Sequence, residues 1–157
     1  SRVRPQEDFN ILSASVKCQP GGNILVELPI GLNHINMYDL EGAFGKTICV
    51  GDKVDNIDLI QDMPRTDRLY TYAHLKVYPD FFAVLYVGED VATYQTQRKK
   101  LPVIQLFDWS GEPLAELKVD RFITTFDIDF SDGTLYVMDR PTEEMFKYDI
   151  RNILAQI

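Results

Sequence analysis

The chain of 157 residues is 45% hydrophobic and 25% charged, and 24 Asp+Glu against 16 Lys+Arg leave a formal charge of -8. One or at most two domains fit that length, and nine Phe with eight Tyr supply the bulky side chains of a packed core, which excludes a disordered tail. The acidic balance speaks against a nucleic-acid backbone binder, whose affinity comes from clustered cations. The longest apolar stretch, residues 81–87, falls far short of the roughly 20 that span a bilayer. The opening Ser1-Arg2-Val3-Arg4-Pro5 is no signal peptide, although a processed mature chain would also lack one.

Along the chain, short alternating or wholly apolar runs predict strands at 11–18, 24–28, 35–39 and 46–50, then 72–78, 82–87, 103–108 and 114–119. A last set is expected at 124–130, 134–139, 145–149 and 153–157. Turn signals precede several of them: Pro20-Gly21-Gly22-Asn23, Pro79-Asp80 and Ser131-Asp132-Gly133. No segment keeps a 3.6-residue apolar spacing over three turns. The most helix-like stretch, 58–63, is short and stopped by Pro64. The chain reads as all-β.

A repeat organises these strands. Tyr38-Asp39-Leu40-Glu41-Gly42, Phe107-Asp108-Trp109-Ser110-Gly111 and Tyr148-Asp149-Ile150-Arg151-Asn152 each place an aromatic residue before Asp and Gly or Asn three places after it. Each predicts a strand ending in a turn. There the Asp carboxylate accepts backbone N–H groups, and the Gly or Asn takes a left-handed conformation. Four strands per repeat, with Asp39, Asp108 and Asp149 as markers, fit units of about 40–45 residues, the spacing of propeller blades. The first interval is longer, and its excess falls at 51–68 and 88–101. In a propeller, both of these insertions would emerge on the face where such folds hold ligands.

These motifs, with the Asp132-Gly133 hairpin before Leu135-Tyr136-Val137, resemble the bacterial six-bladed β-propellers of the TolB-like and NHL-like kind, particularly Bacteroides-type predicted lipoprotein propellers. The resemblance implies about three blades of four antiparallel strands (11–50, 69–119 and 122–157) within one partial propeller domain, half of a six-bladed ring. It further implies an extracytoplasmic location and a non-catalytic module that binds a protein, glycan or small molecule on its loop-rich face. The alternatives are a propeller hydrolase or lyase with calcium at the channel mouth, or a structural half-propeller of a larger protein. Three blades do not close a ring. The expectation is therefore a homo-oligomer or part of a longer chain, with neither nucleic acid nor a transmembrane segment involved.

No catalytic motif, metal-ligand spacing or cofactor signature stands out, so catalytic residues, metal and cofactors are expected to be none. Gly42 to Thr47 imitates the end of a phosphate-binding loop, but Leu40 stands where its first Gly should be, so it reads as a turn. Asp52, Asp55, Asn56 and Asp58 lack calcium-loop spacing and read as a solvated loop. Cys18 and Cys49, on the innermost and outermost strands of one unit respectively, lie roughly 14 Å apart, too far for a disulfide, and read as buried hydrophobes. The basic triplet Arg98-Lys99-Lys100 stands out on an acidic chain. With Arg65, Arg68, Arg121 and Arg140 it is expected to form an anion-receptive rim. The candidate ligand- or partner-binding residues are His34, Arg65, Tyr72, His74, Arg98, Lys99, Arg121 and Arg140.

Overall fold

A computed structural model describes residues 13–42, 45–52 and 56–157. Eleven strands among them form three antiparallel sheets. The first sheet runs β1 (Ala14–Cys18), β2 (Ile24–Pro29), β3 (His34–Asp39) and β4 (Gly45–Cys49), in that order. The second runs β5 (Leu69–Val77), β6 (Phe81–Asp90), β7 (Val103–Asp108) and β8 (Pro113–Lys118). The third has only β9 (Thr125–Asp129), β10 (Thr134–Asp139) and β11 (Glu144–Asp149), with β10 in the middle.

The repeated Asp does what its position predicts. Asp108 Oδ1 accepts the backbone N–H groups of Ser110 and Glu112 at 2.8 and 2.9 Å, and Asp39 Oδ1 accepts that of Glu41 at 2.9 Å. Gly42 and Gly111 follow at φ of 81° and 83°, the left-handed region that turns the chain back into a next strand. The third repeat departs from this pattern. Asn152 enters a short helix, α3 (Arg151–Leu154), where Ile153 and Leu154 both donate to the Ile150 carbonyl. The strand expected at 153–157 is therefore absent, and the third sheet stops at β11.

Both insertions contain helices. In the first, Asn56 caps α1 (Ile57–Asp62) by accepting the Leu59 N–H at 3.1 Å, and a 3-10 turn follows at Arg65–Asp67. In the second, β6 runs on to Asp90, whose carboxylate caps α2 (Val91–Thr96) through the Thr93 N–H at 2.8 Å. Asp55 lies outside the described residues.

The sheets pack face to face through the second. Period-two alternation sends Phe82, Val84 and Phe107 to one face, against Val26, Ile35 and Met37 of the first sheet. Ala83, Leu85, Ile104 and Leu106 line the opposite face, against Phe126, Ile128, Leu135 and Val137 of the third. Polar ties flank each junction. Lys46 Nζ reaches the Ser110 carbonyl and the Glu112 carboxylate at 3.0 and 2.8 Å, while Lys76 and Tyr78 both donate to Asp127, at 2.6 and 3.0 Å.

This arrangement overturns the propeller expectation and the TolB-like and NHL-like likeness with it. The strands form separate flat sheets of four, four and three, and none curls or closes on itself. The physical reason lies in which faces are covered. Only the second sheet is packed on both sides, whereas Val16 and Tyr38 on the first and Tyr136 and Met145 on the third stay exposed. A ring would cover every face. With no ring there is no central channel, and the loop-rich propeller face, the channel-mouth chemistry and the half-propeller assembly lose their structural basis. Cys18 and Cys49 are free thiols, as expected from their separation, but they are exposed rather than buried.

The double burial of β6 yields a contrast. Phe82 is 0% exposed and stacks on Phe107 at 5.4 Å. Phe82→Ala is expected to lower unfolding free energy by about 3–5 kcal/mol, and Met145→Ala by no more than about 0.5 kcal/mol, as read by urea denaturation.

Candidate functional site

The second insertion folds back over the junction of the second and third sheets. β-bulges in β5 around Tyr72 shift the register against β6, which places Tyr70 opposite Glu89 beyond the regular ladder. There the Tyr70 ring meets Tyr94 of α2 at 4.8 Å, and Tyr94 meets Phe122, just before β9, at 5.5 Å. The Val91 N–H donates to the Arg68 carbonyl at 3.0 Å, so the start of α2 is held to the end of the first insertion.

Arg98 closes this aromatic row. Its backbone sits at φ 47°, a left-handed conformation unusual for a side chain other than Gly, Asn or Asp. That conformation lets the guanidinium lie 3.9 Å over the Phe122 ring while Nη2 stands 2.5 Å from Asp139 Oδ1. Asp139, at the end of β10, is 4% exposed, and its other oxygen accepts from Thr142 Oγ1 at 2.9 Å. An ion pair against an aromatic face thus fastens the insertion to the third sheet.

Arg140 follows immediately. Its backbone N–H donates to Thr124 Oγ1 at 2.9 Å, and the next residue, Thr125, places Oγ1 3.3 Å from His74 Nε2. The Arg140 side chain is exposed, and none of the ion pairs among the described residues uses it. Its charge is felt by three neighbours. Burial raises the Tyr70 phenol against a lowering by Arg140. Burial and then Tyr70 push Tyr94 up to about 12, opposed by Arg98 and, more weakly, Arg140. Burial depresses the His74 imidazole, with further lowering by Lys76 and Arg140. Arg140 thus keeps an exposed guanidinium whose charge reaches Tyr70, Tyr94 and His74 as a lesser influence than burial.

Of the residues singled out from sequence, His74, Arg98 and Arg140 come together here. The others lie apart or have other work. His34 opens β3, buried and opposite Cys49. Tyr72 points into the core between the first two sheets, packed edge-on against Tyr86 at 5.8 Å, and burial raises its phenol. Arg65 is exposed on the 3-10 turn, and Lys99 is exposed beside Arg98. Arg121 covers the Phe146 ring at 4.1 Å and faces Asp120 at 3.6 Å. The full rim of cations is therefore not assembled, because Arg98 and Arg121 spend their charge on local carboxylates. Arg68 likewise turns inward, donating to the Met63 and Gln61 carbonyls. Tyr70, Tyr94, Phe122, Thr125 and Asp139 were missed, since only the fold brings these aromatic and polar positions together.

Among the described residues no three His, Cys, Asp or Glu side chains converge on a metal-sized site, which leaves the calcium alternative without a ligand set. A shallow cleft of about 490 Å³ between Phe130, Gly133, Arg151 and Leu154 lies at the other end of β10 from Asp139. Its Arg151 is tied to Asp149 at 2.5 Å, which holds that carboxyl at about 2.

No known family model matches the chain, and none of the curated proteins is similar enough to count as a relative.

Two outcomes follow from this geometry. Arg98→Ala leaves Asp139 buried without its cation and is expected to cost about 2–3 kcal/mol in urea denaturation. That is less than a fully buried pair, because the Arg98 side chain keeps 30% exposure, and Arg98→Met with Asp139→Leu should recover most of it. His74 titrates lower in the folded protein than its ordinary value near 6.5, so the unfolded chain binds its proton first. Its stabilising contribution is complete above about pH 6.5 and is lost as pH falls through that value. The decline in unfolding free energy between about pH 7 and 5 is expected to be shallower in His74→Gln.

Proposed function

We propose that the protein acts by binding, without catalysis, and that it takes the anionic end of a ligand at Arg140, with Tyr70 and Tyr94 beside it. The observation that carries this reading is the contrast between two adjacent-in-space arginines. Arg98 is neutralised by Asp139, whereas Arg140 stands exposed with no ion pair among the described residues. An unpaired guanidinium on a chain of net charge -8 is a local reversal of sign, and its planar donors suit carboxylate, sulfonate and phosphate oxygens.

Aromatic walls add to the fit. Tyr70 and Tyr94 stay neutral at physiological pH, so they offer ring faces and hydroxyl donors without repelling an anion. A small aromatic anion matches this combination better than an inorganic one, because the rings contribute apolar contact that sulfate cannot use.

The test is a nuclear magnetic resonance titration with benzenesulfonate, whose charge is constant across the working pH range. Backbone shifts are expected to concentrate at Arg140, Tyr70, Tyr94 and Thr125, with millimolar affinity. Arg140→Ala should weaken binding about fivefold or more at an unchanged melting temperature, while Lys99→Ala leaves it within a factor of two. Equal affinity in Arg140→Ala would remove the reading.

A further inference from the structure

We infer that Asp139 and the Phe122 ring form a binding site for a guanidinium group, filled in this chain by its own Arg98, and that an arginine of a basic partner segment displaces Arg98 there. The second insertion then acts as an internal competitor for that partner. The inference does not rest on the anion-binding reading of Arg140, since it concerns a cation and other side chains.

The site is built from the body of the protein. Asp139 ends β10 with its side chain 5% exposed, and Thr142 Oγ1 donates to one of its oxygens, Oδ2, at 2.9 Å. The Phe122 ring, in the connection before β9, supplies a flat wall, and the Arg98 guanidinium lies 3.9 Å over it. A carboxylate beside an aromatic face suits a planar, weakly hydrated cation. Arg98 uses this site incompletely. Its Nη2 is within ion-pair distance of Oδ1, yet neither of these buried atoms has a hydrogen bond among the described residues, so the guanidinium fork is not aligned on the carboxylate. A guanidinium on a separate chain is free to turn into that alignment.

The segment that carries Arg98 is lightly held. α2 is six residues long and buries none of them, and a helix of that length does not persist without outside contacts. Arg98 also keeps its backbone at φ 47°, a cost that a separate ligand does not bear. The same segment shows the chemistry it competes with. Of three consecutive cations, Arg98 and Lys100 lie over rings of the body, Phe122 at 3.9 Å and Tyr86 at 4.9 Å, while Lys99 is exposed. It is in effect a basic peptide already seated on an acidic protein. The net charge of -8 draws other such segments toward the same surface.

Arg98→Gly empties the site and relieves the left-handed backbone, which glycine adopts freely. The probe is ethylguanidinium chloride, followed by nuclear magnetic resonance at constant ionic strength. It is expected to bind Arg98→Gly about tenfold or more tightly than wild type, where the tethered side chain competes at high effective concentration. Shifts should centre on Phe122, Asp139 and Thr142. Ethylammonium, of equal charge but without the planar fork, should bind about threefold more weakly or worse, and Arg98→Gly with Asp139→Asn should lose the binding. Equal affinity for wild type and Arg98→Gly, or binding that survives Asp139→Asn, overturns the inference. Displacement by a separate chain is read in the wild-type protein, which keeps the test decisive if Arg98→Gly does not fold. Acetyl-Arg-Lys-Lys-amide is expected to speed hydrogen exchange at the Gln97 and Arg98 amides, both bonded to the Thr93 carbonyl, about threefold or more over acetyl-Lys-Lys-Lys-amide at the same concentration. Equal exchange rates with the two peptides overturn the proposed replacement of Arg98.

Discussion

The second sheet is buried on both faces, and the rest of the structure hangs from that fact. Phe82, Val84 and Phe107 face one neighbour while Ala83, Leu85, Ile104 and Leu106 face the other, and these positions are all 5% exposed or less. A strand that must satisfy two apolar faces cannot lie at a surface, so β6 and β7 become the middle of a three-layer stack. The outer sheets then need only one apolar face each. That agrees with β1, which is exposed along most of its length, and with the Tyr38–Glu27–Asn36–Thr47 hydrogen-bond chain on the outside of the first sheet.

Because β5 and β6 run past the regular ladder, the helical insertion that follows them is carried toward the third sheet. Its position there is an electrostatic matter. Asp139 is buried at the end of β10, and Arg98 reaches it at the expense of an unfavourable backbone conformation. With Arg98 committed to Asp139, the next residue along, Arg140, keeps an exposed side chain outside that pair, and its charge reaches Tyr70 of β5 and Tyr94 of the insertion. The anion-receptive character of the site is thus a by-product of how the loop is locked.

Local features of the chain were legible residue by residue. β7 and β10 begin and end where alternation and turn residues place them, and the Asp39 and Asp108 turns use their carboxylates as such turns do. The third repeat was misread because Asn152 can serve either a left-handed turn or a helix, and only the former continues a sheet. The larger misreading, a propeller, has the same root. Asp-containing turns and period-two strands report how a meander folds on itself, and they are silent on whether meanders arrange around an axis or stack in layers. The site was legible only in its cations. Which arginine remains unpaired depends on Asp139 and Asp120 lying beside Arg98 and Arg121, and neither contact follows from sequence spacing.

By itself, then, the amino-acid order determined that this is a protein of short antiparallel strands, where most turns fall, and that one long excursion precedes the second group and another interrupts it, because those properties come from interactions within a few residues. The tertiary structure alone decided that the sheets form an open stack, that both cysteines face solvent, and that Arg98 rather than Arg140 pairs with Asp139. Those outcomes depend on which apolar faces meet and which charges end up buried together, and both are settled between residues far apart in the chain.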